Sequence, residues 1–263
     1  MPPNLSSCPP LSRHRAFSSW ERQRASAFPG HPPNRGRRTN LSASSPSLRG
    51  AIAQHLGLKL QVQNLGFDSL IPSLEANRIN IIMSGMLDTV ARQKRVDFID
   101  HIVGGSAMLQ QAKADRNVSS LADICGLKAS ALRGAVEAKS AQTQSEKCVA
   151  ESKPAVEVQV YPDTRSQLAA LASGRTDVAL GDLLYFGDLS QTQADQFKLA
   201  GEPFNSGPCA IAVPKGSSLG PAIVNALNDL IADGTYGKIL SKYKMIQASY
   251  VSQAVLNGVT DTK

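Results

Sequence analysis

The chain has 263 residues, 42% of them hydrophobic, and a formal charge of +7 at neutral pH. That length suffices for one large domain or two lobes of roughly 100–150 residues each, and no apolar run reaches the roughly 18 residues a membrane-crossing helix needs. The charge is concentrated: residues 1–49 hold eight arginines, no lysine and one acid, Glu21 (8 − 1 = +7), while the remainder has 28 − 8 = 20 bases against 21 − 1 = 20 acids. The body therefore lacks a nucleic-acid footprint, and no nucleic-acid partner is expected.

Residues 1–46 are rich in Pro, Ser and Arg and follow neither a helical nor a strand period. Such a segment buries too little apolar surface to offset its conformational entropy, so it is read as disordered. It has no continuous apolar stretch of the secretory-signal kind. Its Arg/Ser-rich, acid-poor composition resembles a transit peptide, but its prolines break an amphipathic helix. The expectation is a shifted or non-native start of the reading frame.

From Leu48 the texture alternates. "SLRGAIAQHLG" spaces Leu48, Ile52 and Leu56 at helical intervals before Gly57, a helix with a glycine stop. "LKLQVQNL" alternates as a strand, and "DSLIPSLEANR" reads as a helix with Asp68 as N-cap and Pro72 in its first turns. "INIIMS" is a short buried strand. "LKASAL" is a strand before a polar helix over about 135–151, and "VEVQVY" is a strand. "TRSQLAALASG" is a helix and "TDVALGD" a strand; "CAIAVPKG" is a strand, and "SLGPAIVNALNDLIADG" and "YGKILSKYK" are helices in which Tyr236 and Tyr243 pack. Alternation of this kind predicts an α/β class with parallel sheets. Ligands in such sheets sit beyond the carboxyl ends of strands, where Ser84, Gly85 and Asp182 fall.

The strand at 81–83 runs into small residues, Ser84 and Gly85, and then into Arg92, Lys94 and Arg95. Two readings compete: a basic surface helix, or a place where backbone N–H groups and an arginine meet an anion.

The stretch "LGLKLQVQNLGFDSLIPSLEANRINIIMSGMLDTVARQKRVDFID" resembles the first-lobe core of the polar amino-acid substrate-binding proteins of ABC transporters, solute-binding protein family 3. The resemblance is carried by Phe67, Asp68, Leu70, Ile71, Pro72 and Leu74, then Ser84, Gly85, Met86, Thr89 and Arg92, then Val96, Asp97 and Phe98. "LADICGLKASALRGAVEAKSAQTQSEKC" and "LAALASGRTDVALGD" resemble the second lobe, and "AIAVPKGSSLGPAIVNALNDLIADGTYGKILSKY" the return to the first. The match runs from Leu48 to Tyr243.

The resemblance implies a two-lobed type II periplasmic binding protein-like fold whose first lobe lacks its first strand. The implied domains are a disordered segment at 1–46, a first lobe at 47–107 and 208–250, a second lobe at 108–207 and a tail at 251–263. It further implies a free amino acid clamped between the lobes. The ligand carboxylate calls for a planar, permanently charged fork and backbone N–H groups; Arg92 matches the first, with Ser84, Gly85 and Leu87 around it. The ammonium calls for an acceptor, and Asp182 matches the family's second-lobe acid. Arg92 as an ordinary surface arginine, and Asp182 as a helix cap, stand as alternatives. His55 and His101 have no metal-like spacing and are read as surface histidines; no metal and no cofactor is expected.

Two positions depart from the family. Leu87 and the pair Gly134–Ala135 stand where hydroxyl residues are usual, leaving only backbone N–H groups for the carboxylate. Each lost bond costs about 0.5–1.5 kcal/mol. An export signal, a first strand and an aromatic loop are also expected upstream of Leu48 and are not recognised there.

From Cys125, a strand advances about 23 Å to Leu132 and the following helix returns about 20 Å to Cys148. The two sulfurs are therefore expected to meet in a disulfide, suited to an oxidising compartment. No disulfide is assigned to Cys8 or Cys209.

The expected function is an extracytoplasmic, periplasmic binding protein that delivers an amino acid to a membrane permease as a monomer, and not an enzyme. Two alternatives remain: a remnant without binding activity, and an enzyme of the same fold, cyclohexadienyl dehydratase-like, for which only Asp182 and, weakly, Asp88 offer an acid or base.

Overall fold

The chain is described, as a computed structural model, over residues 39–40, 47–242 and 247–260. The disordered reading of 1–46 lies outside the described residues except for Thr39–Asn40, and the readings of Cys8 and Tyr243 lie outside them as well. The described chain forms two compact units. One is continuous, Gly104–Ser206; the other takes the described residues up to Val103 and those from Gly207 onward, so the chain passes between units twice.

In the interrupted unit, β1 (Thr39–Asn40) pairs antiparallel with β2 (Gln61–Val62). The strand expected over 58–65 shortens to these two residues, and the segment read as structureless supplies their partner. Helix α1 (Leu48–His55) is capped by Ser47, whose Oγ accepts from the Gly50 N–H at 3.3 Å, and it buries Leu48 and Ile52.

The next helix corrects the sequence reading. Phe67–Ser69 form a 3₁₀ turn, and α2 (Leu70–Glu75) follows, so Asp68 is inside the turn and is not the N-cap. Proline explains the shift. With Asp68 as cap, Pro72 would stand fourth in the helix, where an N–H is needed for the first intrahelical bond. Starting at Leu70 moves Pro72 to third, where that N–H has no intrahelical partner to lose.

Strand β3 (Ile82–Leu87) starts later than expected and carries Ser84 and Gly85 within it. A single turn, α3 (Val90–Gln93), leads to β4 (Val96–Gln111). The return into this unit comes through β8 (Phe197–Pro214), antiparallel to β3, and continues into α7 (Leu219–Ala232), α8 (Thr235–Lys242) and β9 (Val255–Leu256), which pairs with Ile99 and Asp100 of β4. Leu74, Ile82, Met86, Phe98, Ala210 and Ala212 form the core here.

The continuous unit contains β5 (Lys128–Leu132), α4 (Val136–Ala150), β6 (Glu157–Tyr161), α5 (Thr164–Ala172), β7 (Val178–Asp182) and α6 (Leu183–Thr192). Strand β5 runs parallel to both β6 and β7, but β4 joins β7 antiparallel, Ser106 opposite Asp182 and Leu109 opposite Ala179. The sheets are thus mixed rather than wholly parallel. Strand β4 enters without a helical crossover, and only parallel neighbours require one. Cys125 and Cys148 form the expected disulfide, Cα atoms 5.7 Å apart. It lies against a core that includes Ile124, Ala129, Ala141 and Val156.

His101 corrects another expectation. It lies in β4, half-buried, and burial pushes its imidazole down to about 4. His55 is on the surface, its Nε2 3.0 Å from Asp229.

Candidate functional site

In the interrupted unit the candidate residues gather at the end of β3. Between the pairs Met83–Ile211 and Leu87–Cys209, β3 advances four residues and β8 two. Ser84, Gly85 and Met86 fall across this bulge, out of regular register. Bulges of this kind re-aim backbone and side chains beside functional sites.

Arg92 sits on α3, a helix too short to be stable alone. Thr89 caps it, Oγ1 accepting the Arg92 N–H at 3.3 Å. Gln93 anchors it, its Nε2 donating to Asp88 Oδ2 at 2.8 Å and to the Val259 carbonyl at 2.9 Å. The guanidinium donates from Nη1 to the Leu87 carbonyl at 2.8 Å and lies 5.6 Å from the centre of the Phe67 ring. A cation over an aromatic face is worth about 0.5–1 kcal/mol in exposed settings. Arg92 is therefore held in one orientation. The Leu87 carbonyl and the Phe67 ring are contributions that sequence reasoning missed. Lys94 is exposed; Arg95 is exposed too but pairs with Glu75, whose carboxyl its hydrogen bonds hold below the usual range.

In the continuous unit Asp182 ends β7 and caps α6, Oδ1 accepting from the Tyr185 N–H at 2.7 Å. The capping alternative is thus realised. Its carboxyl is nevertheless pushed up to about 7, by burial first and then by the charge of Glu137, against the Tyr185 N–H that favours ionisation. Glu137 is a second acid that the sequence reading passed over. It is buried, and its Oε1 accepts from Ser106 Oγ at 2.6 Å. Ser106 is the cross-strand partner of Asp182. Asn205 completes the cluster, Nδ2 donating to Ser106 Oγ at 3.2 Å and to Ser140 Oγ at 3.0 Å. The available signal was an acid in the first turn of a predicted helix, which ordinarily means only a favourable helix dipole.

Gly134 and Ala135 precede α4. Gly134 takes φ +77°, a left-handed conformation that suits glycine. Ala135 is the N-cap and makes no side-chain cap bond. The Ala135 N–H donates to the Leu132 carbonyl at 3.2 Å, so the N–H groups that helix geometry leaves over in this first turn start at Val136, and Glu137 brings a carboxyl into the same turn.

The profile of the bacterial extracellular solute-binding proteins, family 3, matches residues 43–246. The arginine-binding protein ArgT of Corynebacterium glutamicum is 26% identical over 208 residues, spanning 79% of this chain and 68% of that protein. The lysine/arginine/ornithine-binding periplasmic protein of Escherichia coli is 31% identical over 67% of this chain and 69% of its own length. Among solved structures, an ancestral arginine-binding protein bound to arginine superposes with a TM-score of 0.66 at 31% identity, covering 73% of this chain and 84% of that one.

Proposed function

The chain belongs to the bacterial extracellular solute-binding proteins, family 3, and on that premise we propose that it holds a free amino acid outside the cytoplasm and delivers it to the permease of an ABC transporter. The ligand carboxylate goes to Arg92, with backbone N–H groups around Ser84, Gly85 and Leu87 and in the first turn of α4, which Gly134 and Ala135 lead into. The ammonium goes to Asp182. The observation that carries this reading is the Arg92 guanidinium, fixed on the Leu87 carbonyl and the Phe67 ring. A carboxyl at Asp182 that resists ionisation without a cation beside it supports the ammonium half.

Calorimetry with L-arginine, L-lysine, L-glutamine and L-cystine tests the proposal. One of them binds the parent, and Arg92→Ala weakens that binding at least tenfold, since charge-assisted bonds carry about 1.5–3 kcal/mol each and 1.4 kcal/mol is tenfold. Arg92→Lys does not restore it, because the two-pronged donor is lost. Unchanged affinity in Arg92→Ala overturns the site assignment.

A further inference from the structure

Within the interrupted unit, and apart from the groups proposed for the ligand, two carboxyl side chains are buried side by side. Asp88 follows β3 and Asp100 lies in β4; they are 4% and 7% exposed. One oxygen of each, Oδ1, is buried without a hydrogen-bond partner among the described residues. Asp88 and Asp100 act directly on one another, and a proton shared between two such buried carboxyls satisfies both.

The cover over this pair is the C-terminal segment. Asn257 ties it down: its N–H donates to the Phe98 carbonyl at 2.7 Å, its Oδ1 accepts from the Phe98 N–H at 2.8 Å, and its Nδ2 donates to Asp97 Oδ1 at 2.9 Å. Gly258 then lies so close to Asp100 that a Cβ there would stand 2.5 Å from Oδ2. The Val259 carbonyl takes a hydrogen from the same Gln93 amide that serves Asp88. The segment thus excludes water from the pair.

We propose that Asp88 and Asp100 form a protonation-gated clasp for the segment 254–259, which stays seated while the two acids share one proton and loosens when both are ionised. The clasp does not depend on the ligand reading. Gln93 and the Val259 and Thr89 N–H groups favour an ionised Asp88, and the Gly258 N–H an ionised Asp100, but these neutral donors leave the repulsion of a second charge in place. Residues 254–259 carry no titratable side chain. From β4, Asp97 is engaged by Lys215 and His101 is kept neutral by burial. From α3, Arg92 donates to the Leu87 carbonyl and Lys94 is exposed; from β8, the nearest titratable group is the buried Cys209 opposite Leu87. Tyr236, which donates to the His101 carbonyl, is held up to about 12 and stays neutral.

Burial and then the charge of Asp88 raise Asp100 to about 7, and burial raises Asp88 as well. A docked state that binds a proton the open state releases loses stability as pH rises between the two values, here from about 4 to about 7, and is level above. Amide exchange on the full chain, corrected for intrinsic rates, is the test. Protection at Val255, Leu256 and Asn257 falls toward tenfold per pH unit from about pH 5 to about 7 and then levels, while α4 amides show no such fall. In Asp100→Asn, the amide oxygen can take the Gly258 N–H and its NH₂ can face Asp88, so the segment stays protected with a flat profile. A flat profile in the parent, or the same fall in Asp100→Asn, overturns the clasp. Carboxyl-carbon NMR of the parent decides independently of the variant: one carboxyl of the pair titrating near 7 supports it, and both titrating near 4 refute it.

Discussion

Reducing the Cys125–Cys148 bond isolates one contribution to stability, because reduction breaks the cross-link but removes no atom. The bond closes a loop with a sequence separation of 23 residues. The chain-entropy relation assigns such a loop about 3.4 kcal/mol at 25 °C. Reduction leaves every atom of the surrounding core in place: Cys148 is fully buried, and Gln144 Nε2 lies 3.5 Å from its sulfur. With a urea dependence of about 1–3 kcal/mol per molar for a small unit, the midpoint of the continuous unit should fall by about 1–3 M on reduction. Circular dichroism follows the transition, and amide exchange in β5 assigns it to that unit. Oxidised and reduced protein agreeing within about 1 kcal/mol would refute the entropic reasoning and leave the bond a packing feature only.

Gly201 has φ +62°, and a Cβ there would stand 2.5 Å from the Ser119 carbonyl oxygen, whereas Gly57 has φ +65° with open space around it. Gly201→Ala should therefore cost more than the about 1–3 kcal/mol of backbone strain that Gly57→Ala alone incurs, as denaturant midpoints will read. Asp97 is held below its ordinary value although burial acts to raise it, because Lys215, Asn257 and the Gly216 N–H outweigh that burial. Its contribution is present above its unfolded value and lost as pH falls through the folded one, so Asp97→Asn should flatten the acid limb of a stability–pH curve below about pH 4.

Periodicity and glycine punctuation located most helices and the strands of the continuous unit, because those signals act over a few neighbouring residues. Leu48 and Ile52 marked α1, and the alternation in "VEVQVY" marked β6. The long strands were legible only in part: "CAIAVPKG" marked the end of β8, but neither its start nor the length of β4 was read. β4 runs sixteen residues and β8 eighteen, through Gly104–Gly105 and Gly201, which read locally as breakers. The helix at 68–78 was misplaced because Asp68 satisfies a capping rule that Pro72 overrides. The candidate site was half legible. Arg92 and Asp182 stood in recognisable motifs, and Cys125 and Cys148 followed from element lengths. Glu137, Ser106 and Asn205 meet only through sheet register, over separations of 31 and 99 residues, which no local pattern conveys.

The helix-capping role of Asp182 bears on the ligand role proposed for the same carboxyl. As a cap it commits Oδ1 to the Tyr185 N–H, which alone would keep it ionised. Burial and Glu137 win instead and raise it to about 7, so at neutral pH the site is only partly charged. An ammonium needs the ionised form. Binding must therefore expel a proton below about pH 7, and the apparent dissociation constant should rise about tenfold for each unit of pH below that value and be level above it. Arg92 adds no slope, since a guanidinium keeps its charge throughout this range. Glu137→Gln removes one of the two causes that raise Asp182, so the inflection should move to lower pH, while burial keeps it above the usual carboxylate value. Calorimetry of whichever of the four amino acids binds, from pH 5.5 to 8.5 in buffers of different ionisation enthalpy, reads both affinity and the protons released. A constant affinity with no proton release would show that Asp182 does not receive the ammonium. An inflection unmoved in Glu137→Gln would show that the neighbouring acid is not what holds it up.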